Sequence, residues 1–406
     1  MKKIVVIGGG ASGIVAAIFA ARKGNEVTIL EKNESCARKI LVTGNGRCNY
    51  WNEDQDIKHY KSQNSELVNK FINKTNQDKI LEFFNEIGIE PKIKNGYYYP
   101  FSNQASSMRD ALMSEVKNLN IKIINNINVE TIKKIDEKFV ILSSEEKIYA
   151  DRIILACGSK ASLKKESEAN GYKICESLGL EIVKPLPALV QLRGNEKFFK
   201  EWNGVRSDVK IDLYENDEKV LEEIGEIQLT DYGISGICVF NLSSRAIRGL
   251  DTSKKEYVKI NFLSGLNIQN IGDFINFMNE RSNKLKDRNV NELLYGVLNK
   301  KLVDVLIKKS QIRNGMYWTN LSDEEKETVA RNIVDLRIDI TGSNSFDKAQ
   351  VCSGGVKLTE INNKTMEVNK VKGMYITGEL LDVDGDCGGY NLEWAWITGM
   401  IAGENI

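Results

Sequence analysis

The chain has 406 residues, enough for two or three domains, and its 56 Lys and Arg balance 56 Asp and Glu. A formal net charge of zero gives no global field to draw nucleic acid. Seven cysteines without a C-x-x-C spacing argue for a reducing cytoplasm and against a zinc ribbon or disulfide scaffold, and no apolar run is long enough to span a membrane.

The first residues enter a strand at once, which is read as leaving no room for a signal peptide. Ile4-Val5-Val6-Ile7 is a run of branched apolar residues, the mark of a strand buried on both faces. Gly8, Gly10 and Gly13 follow at the spacing G-x-G-x-x-G: a tight turn, a place for a pyrophosphate to approach backbone, and close helix–strand packing. A helix is expected from Ser12 to Lys23, kept slim by Ala16, Ala17, Ala20 and Ala21, with its N-terminal N–H groups facing phosphate. Glu26 to Leu30 makes the second strand and places Glu31 at its tip, where a carboxylate accepts both hydroxyls of an unphosphorylated adenosine ribose. NAD or FAD is therefore favoured over NADP at this site.

Next comes Arg38-Lys39, then a second glycine-rich turn, Gly44-Asn45-Gly46-Arg47-Cys48-Asn49. It suits a ligand longer than NAD, with Arg38, Lys39 and Arg47 offsetting phosphate charge, or it is an ordinary polar loop. His59, the only histidine, sits in a polar Lys-rich stretch and is expected as a solvated surface residue. A histidine triad and a histidine-held metal are thereby set aside. One helical excursion is read over Glu66 to Ile87, and an aromatic hairpin at Tyr97-Tyr98-Tyr99.

A helix over Gln104 to Asn118 leads to a third parallel strand at Ile121 to Ile124. Val129 would then pass beside the adenine. A meander over Lys138 to Leu142 and Glu146 to Tyr149 precedes the buried strand at Arg152 to Leu155, which ends in the small-residue turn Cys157-Gly158-Ser159. Between the prolines 185 and 187 and about Asn261 the pattern alternates, as in an inserted antiparallel sheet or barrel. Helical spacing dominates from Ile268 to Leu336, with a capping box at Ser322 to Glu325. Lys300, Lys301, Lys308, Lys309 and Arg313 give this bundle a basic strip, read as a solvated face or, alternatively, a nucleic-acid footprint.

The last fifty residues return to the cofactor. A strand at Gly373 to Thr377 ends in Gly378-Glu379, and the turn at 382–391 opens a closing helix. Glu379 can hold ribityl hydroxyls, and the helix start at Gly389, Tyr390 and Asn391 can face the pyrimidine edge of a flavin. The acids Asp382, Asp384 and Asp386 do not have EF-hand spacing, so no calcium loop is read there.

Gly-Gly-Gly-Ala-Ser-Gly at 8–13, Arg-Lys at 38–39, Gly-Asn-Gly-Arg-Cys-Asn at 44–49, Ser-Gly-Gly-Val at 353–356 and Gly-Glu-Leu-Leu-Asp-Val-Asp-Gly-Asp-Cys-Gly-Gly-Tyr-Asn at 378–391 resemble, end to end, the BaiN-like flavoproteins. These are also known as aminoacetone-oxidase-family FAD-binding enzymes. The resemblance implies an α/β fold in which a Rossmann-like, two-dinucleotide-fold FAD domain (1–188 and 351–406) is interrupted. The interruptions would be an antiparallel β-barrel domain (189–265 and 335–350) and a small helical subdomain (266–334). It implies non-covalent FAD touching Gly8, Gly10, Ala11, Ser12, Gly13, Glu31, Lys32, Arg38, Lys39, Gly44, Gly46, Arg47, Cys48, Asn49, Val129, Gly158, Gly378, Glu379, Gly389, Tyr390 and Asn391. The turn at 157–159, the segment Glu168-Ala169-Asn170-Gly171-Tyr172 and Met366-Glu367-Val368-Asn369 depart from the family's usual motifs.

An FAD oxidoreductase of this kind is expected to move hydride from N5 to an electron-poor carbon while an acid protonates its neighbour. Cys387 and Tyr390 are the foremost candidate acids, with Cys352 and Tyr232 behind them. No second G-x-G-x-x-G exists, so NAD(P)H would bind only transiently as reductant. The substrate is read as a small enone of steroid or bile-acid type. The alternatives are uracil in structured ribosomal RNA, a small amine, or no substrate at all in an electron-transfer module.

Overall fold

The computed structural model describes residues 1–143, 146–162 and 170–406, so Glu168 and Ala169 lie outside the described residues. The chain folds into two compact units, Met1–Leu186 with Val351–Ile406, and Pro187–Gln350.

The first unit is built on a five-stranded parallel sheet. Its strands are β1 (Lys3–Ile7), β2 (Glu26–Leu30), β3 (Lys122–Ile124), β4 (Arg152–Leu155) and β5 (Met374–Ile376), in the order β5-β4-β1-β2-β3. Ile4 to Ile7 are buried on both faces because β1 is central, with Val5 flanked by Thr28 and Ile153. The strand order reverses at β1, and the crevice beyond the carboxyl end of β1 is where such sheets bind nucleotides.

Helix α1 (Ala11–Arg22) follows β1, and helix α2 (Tyr390–Asn405) closes the chain against it. α2 is apolar nearly all round and buried from Trp394 to Gly403. Two glycines make the approach possible: a Cβ on Gly399 would lie 2.4 Å from Ser12 O, and one on Gly403 would lie 2.5 Å from Ala16 O.

The single helix expected over 66–87 is two helices, Ser65–Phe71 and Lys74–Glu86. Ile72 turns extended, and the Asn73 side chain accepts from Asn76 N–H to start the second helix afresh. A short helix at Arg38–Val42, not read from the sequence, precedes the second glycine-rich turn. The aromatic hairpin pairs Pro91–Lys94 with Tyr97–Pro100, and Trp51–Asn52 adds a third strand.

In the second unit, seven antiparallel strands form one sheet that starts with Leu336–Asp339 and ends with Gly342–Ser343. These edge strands are consecutive in the chain. Ile340 N–H donates to Glu256 O and Thr341 N–H to Arg193 O, so one segment joins the two edges of the curled sheet. The 268–336 helical spacing resolves into Ile271–Lys284, Val290–Leu294, Lys300–Lys309 and Asp323–Val334. The last carries the capping box of Ser322 and Glu325.

Candidate functional site

At the carboxyl end of β1 the chain turns through Gly8-Gly9-Gly10 into α1. A Cβ on Gly13 would stand 2.0 Å from Gly8 O, so this position admits nothing larger. Gly10 is the opposite case: a Cβ there would meet nothing within 4 Å, which leaves backbone open to an incoming group. α1 has no side-chain cap and no acid in its first turn, and its first internal bond is Ile14 N–H to Gly10 O. The N–H groups of Ala11, Ser12 and Gly13 therefore face forward, an anion site of the usual helix-start kind.

Glu31, at the tip of β2, is buried. It accepts from Gly9 N–H at 2.8 Å and from Asn33 N–H at 2.8 Å, so its carboxylate is fixed beside the glycine turn. Lys32 is exposed. Val129 is buried at the start of the meander, and its carbonyl accepts from Asn170 at 3.3 Å.

At the other end Glu379 gathers three segments. It pairs with Lys39 at 2.7 Å and accepts from Ser159 Oγ at 2.6 Å and from Cys352 N–H at 3.1 Å. Its own segment is held by α2: Gly378 N–H donates to Thr398 Oγ1 and Trp394 Nε1–H to Gly378 O. Ser159, in the turn that departs from the family's usual motif, thus engages the acid directly, a role the sequence did not reveal. Gly158 beside it has φ +69° and open space where a Cβ would be.

The second glycine-rich turn runs through Gly44, Asn45, Gly46 and Cys48, all with positive φ. Arg47 is exposed, its guanidinium 5.2 Å over the Tyr99 ring, and Arg38 pairs loosely with Glu34 at 3.8 Å. Burial pushes the Cys48 thiol up to about 12. Asn49 Oδ1 is buried without a protein donor. A buried acceptor left open is a place where a ligand's donor belongs.

The turn before α2 is clamped from both sides. Asn391 accepts from Gly385 N–H at 2.9 Å and donates to Gly385 O at 2.7 Å. Gly389 caps α2 with φ +106°, its Cα packed on the Trp51 backbone. Among the candidate acids, Tyr390 is buried and its hydroxyl donates to Asp54 O at 3.0 Å. Cys387 is half-buried in the turn itself. Burial, then the neighbouring Glu379, pushes the Cys352 thiol up to about 11. Tyr232 belongs to the second unit, where its ring lies under Arg193.

His59 is not the solvated residue expected. Its side chain is 17% exposed, its ring stacks on Tyr390 with centroids 4.5 Å apart, and its nitrogens face Asp54 at 2.9 Å and Asp386 at 3.0 Å. The pairing of Tyr60–Lys61 with Asp384–Gly385 brings it there, a contact spanning more than three hundred residues that local composition does not encode. Lys61 binds the other oxygen of Asp386, and Asp382 accepts from Gln63 N–H at 2.9 Å. Glu393, one turn into α2, was also missed. The signal was a lone acid inside the apolar run Leu392-Glu393-Trp394-Ala395-Trp396.

An open glycine turn with free helix N–H groups, a fixed acid at a strand tip, a buried open acceptor and a second uncapped helix start together fit an extended dinucleotide with a ring at its far end. A family model described as the HI0933-like protein Rossmann domain matches residues 2–405. A 3-dehydro-bile acid delta(4,6)-reductase of Clostridium scindens is 40% identical over 406 residues, which is 100% of this chain and 98% of the relative. A ribosomal RNA dihydrouridine synthase of Escherichia coli is 26% identical over 402 residues, covering 99% and 97% of the two chains. In fold, the chain resembles a 3-ketosteroid-Δ4-(5α)-dehydrogenase from Rhodococcus jostii, solved with 4-androstene-3,17-dione. The TM-score is 0.50 at 12% identity, covering 100% of this chain and 96% of that one.

Proposed function

Because the chain belongs to the HI0933-like Rossmann family, we propose that it reduces a C=C bond conjugated to a carbonyl in a steroid- or bile-acid-like molecule. It is an FAD-dependent oxidoreductase. The observation that carries the substrate class is the 40% identity to the bile acid reductase, which runs the full length of both chains.

FAD supplies the hydride chemistry when bound. The chain's own residues bind and orient it: N–H groups at the start of α1 take the pyrophosphate, Glu31 the adenosine ribose, and Glu379 with Lys39 the ribityl chain. The start of α2 would hold the pyrimidine edge, where a helix N-terminus would favour negative charge by about 0.3–1 kcal/mol, more where water is excluded. We assign proton delivery to Cys387, which is half-buried in the turn that opens α2, with Tyr390 as the second candidate. NAD(P)H binds transiently as reductant. Seven cysteines, none of them in a disulfide, suit a reducing cytoplasm.

The test is to reduce the bound FAD anaerobically with NADH or NADPH and to offer acceptors. Rapid reoxidation by a steroid or bile-acid enone is expected. Reoxidation only by unmodified ribosomal RNA, or reduction only by an amine, overturns the reading. The basic strip gives RNA no support of its own. Lys308 pairs with Glu201, Lys301 donates to Asn203 O, and Lys300 and Lys309 lie over Tyr295 and Phe198.

A further inference from the structure

Glu393 is the most deeply buried acid of the first unit that the proposed chemistry leaves unused. It has no solvent exposure. It sits in the first turn of α2, its N–H donating to the cap residue Gly389 at 2.9 Å, within about one helical turn of the groups assigned to the flavin's pyrimidine edge. Gln55 donates to one carboxylate oxygen at 3.1 Å and Gln77 to the other at 3.2 Å. These two amides are themselves hydrogen-bonded to each other, and the Tyr60 hydroxyl faces the same carboxyl.

Among the described residues, the elements packed on α2 bring no cation to the Glu393 carboxyl. α1 carries only Arg22, engaged with Glu86 and Glu115, and the helix Lys74–Glu86 uses Lys74 and Lys79 in exposed pairs. Tyr60 and Tyr390 are ionisable neighbours of it, and Glu379 and Asp384 are the acids on the other short segments packed on α2. Two amide donors and a helix start favour the carboxylate, whereas dryness favours the neutral acid and outweighs them, so the carboxyl holds a proton more readily than an exposed one.

We infer that Glu393 is a proton site coupled to the cofactor's redox state, taking up a proton when the flavin is reduced and releasing it on reoxidation. The inference rests on the FAD reading above and on the 389–391 turn as the seat of the ring. A nicotinamide donor gives up a hydride and is oxidised. The hydride's two electrons and one proton arrive on the cofactor and leave one net negative charge there. The Glu393 carboxylate then takes one further proton from solvent, so the charge of the buried site is restored. When the acceptor C=C takes the hydride, the Glu393 proton returns to solvent. Burial pushes the Glu393 carboxyl up to about 7, in the neutral range where such an exchange can be read.

The experiment is a spectroelectrochemical titration of the FAD-loaded protein and of Glu393→Gln between about pH 6 and pH 9. Above about pH 7 the unsubstituted protein should take up two protons per two electrons, about a hundredfold change in the reduction equilibrium per pH unit. Glu393→Gln should take up one, about tenfold, throughout. If the variant does not fold, the reduced-minus-oxidised infrared difference spectrum of the unsubstituted protein decides: a protonated-carboxyl band should appear on reduction. Protein that holds FAD but shows one proton per two electrons and no such band overturns this inference alone. Protein that holds no FAD overturns the cofactor reading and this inference with it.

Discussion

Glu31, proposed above to take the ribose, is held by Gly9 and Asn33, so its carboxylate is fixed before any ligand arrives. Glu31→Gln keeps the shape but loses the charge. It should weaken FAD by about 1.5–3 kcal/mol, roughly tenfold or more, measured by quenching of flavin fluorescence on titration. A second acid has a different consequence. Glu256, buried opposite Glu215 in the second unit, has no hydrogen-bond partner for either oxygen among the described residues. Arg245 and Lys254 are engaged with Glu215 instead. Burial, then the Glu215 charge, raises the Glu256 carboxyl from 4.5 to about 7. The folded chain then binds more protons than the unfolded one across that window. Stability should fall as pH rises from about 4.5 to 7, by about 1–3 kcal/mol, and level off above it. Glu256→Gln should remove that slope from urea titrations run at successive pH values. A slope that survives the substitution belongs to another group.

Among the elements, α2 does the most joining: it packs on α1, holds Gly378 through Thr398 and Trp394, and carries at its start the turn proposed to seat the ring. Gly399→Ala places a methyl 2.4 Å from Ser12 O. Overpacking of this kind costs about 1–3 kcal/mol, and each kcal/mol should lower the melting temperature by about 2–4 °C in a calorimetric scan. The turn before α2 depends on a remote clamp as well. His59→Ala leaves the buried Asp386 with Lys61 alone and removes the ring that supports Tyr390. The expected result is a loss of about 1–3 kcal/mol in FAD affinity with unchanged far-ultraviolet circular dichroism. Chymotrypsin should also cut the apo variant faster after Tyr390. Unchanged FAD affinity would reduce His59 to surface packing.

At the scale of the whole chain, what was legible followed from period and punctuation. β1, the glycine turn, α1 and Glu31 form one contiguous stretch in which each residue's neighbours in sequence are its neighbours in space. The same holds for the alternating strands of the second unit and the Ser322 capping box. What stayed hidden is long-range: Ser159 on Glu379, His59 against Asp386, and Gln55 and Gln77 on Glu393 each join segments far apart in sequence. Helix continuity over 66–87 also misled, because the apolar spacing continues through a break made by Asn73, whose side chain, not its hydropathy, restarts the helix. The cofactor residues drawn from both ends of the chain all fall within Met1–Leu186 and Val351–Ile406. Pro187–Gln350 has its own sheet, helices and core and contributes none of them. Ligand that binds only the folded form stabilises the unit that holds it, by about 2.7 kcal/mol at a hundred times the dissociation constant. Calorimetry should therefore resolve two transitions, with saturating FAD raising one and leaving the other in place. Glu31→Gln should reduce that shift at the same FAD concentration, whereas Glu256→Gln should move only the transition that FAD ignores. A single transition that FAD raises as a whole would mean that the two units unfold together, and the stability effects assigned above to separate units would then have to be read as properties of the entire chain.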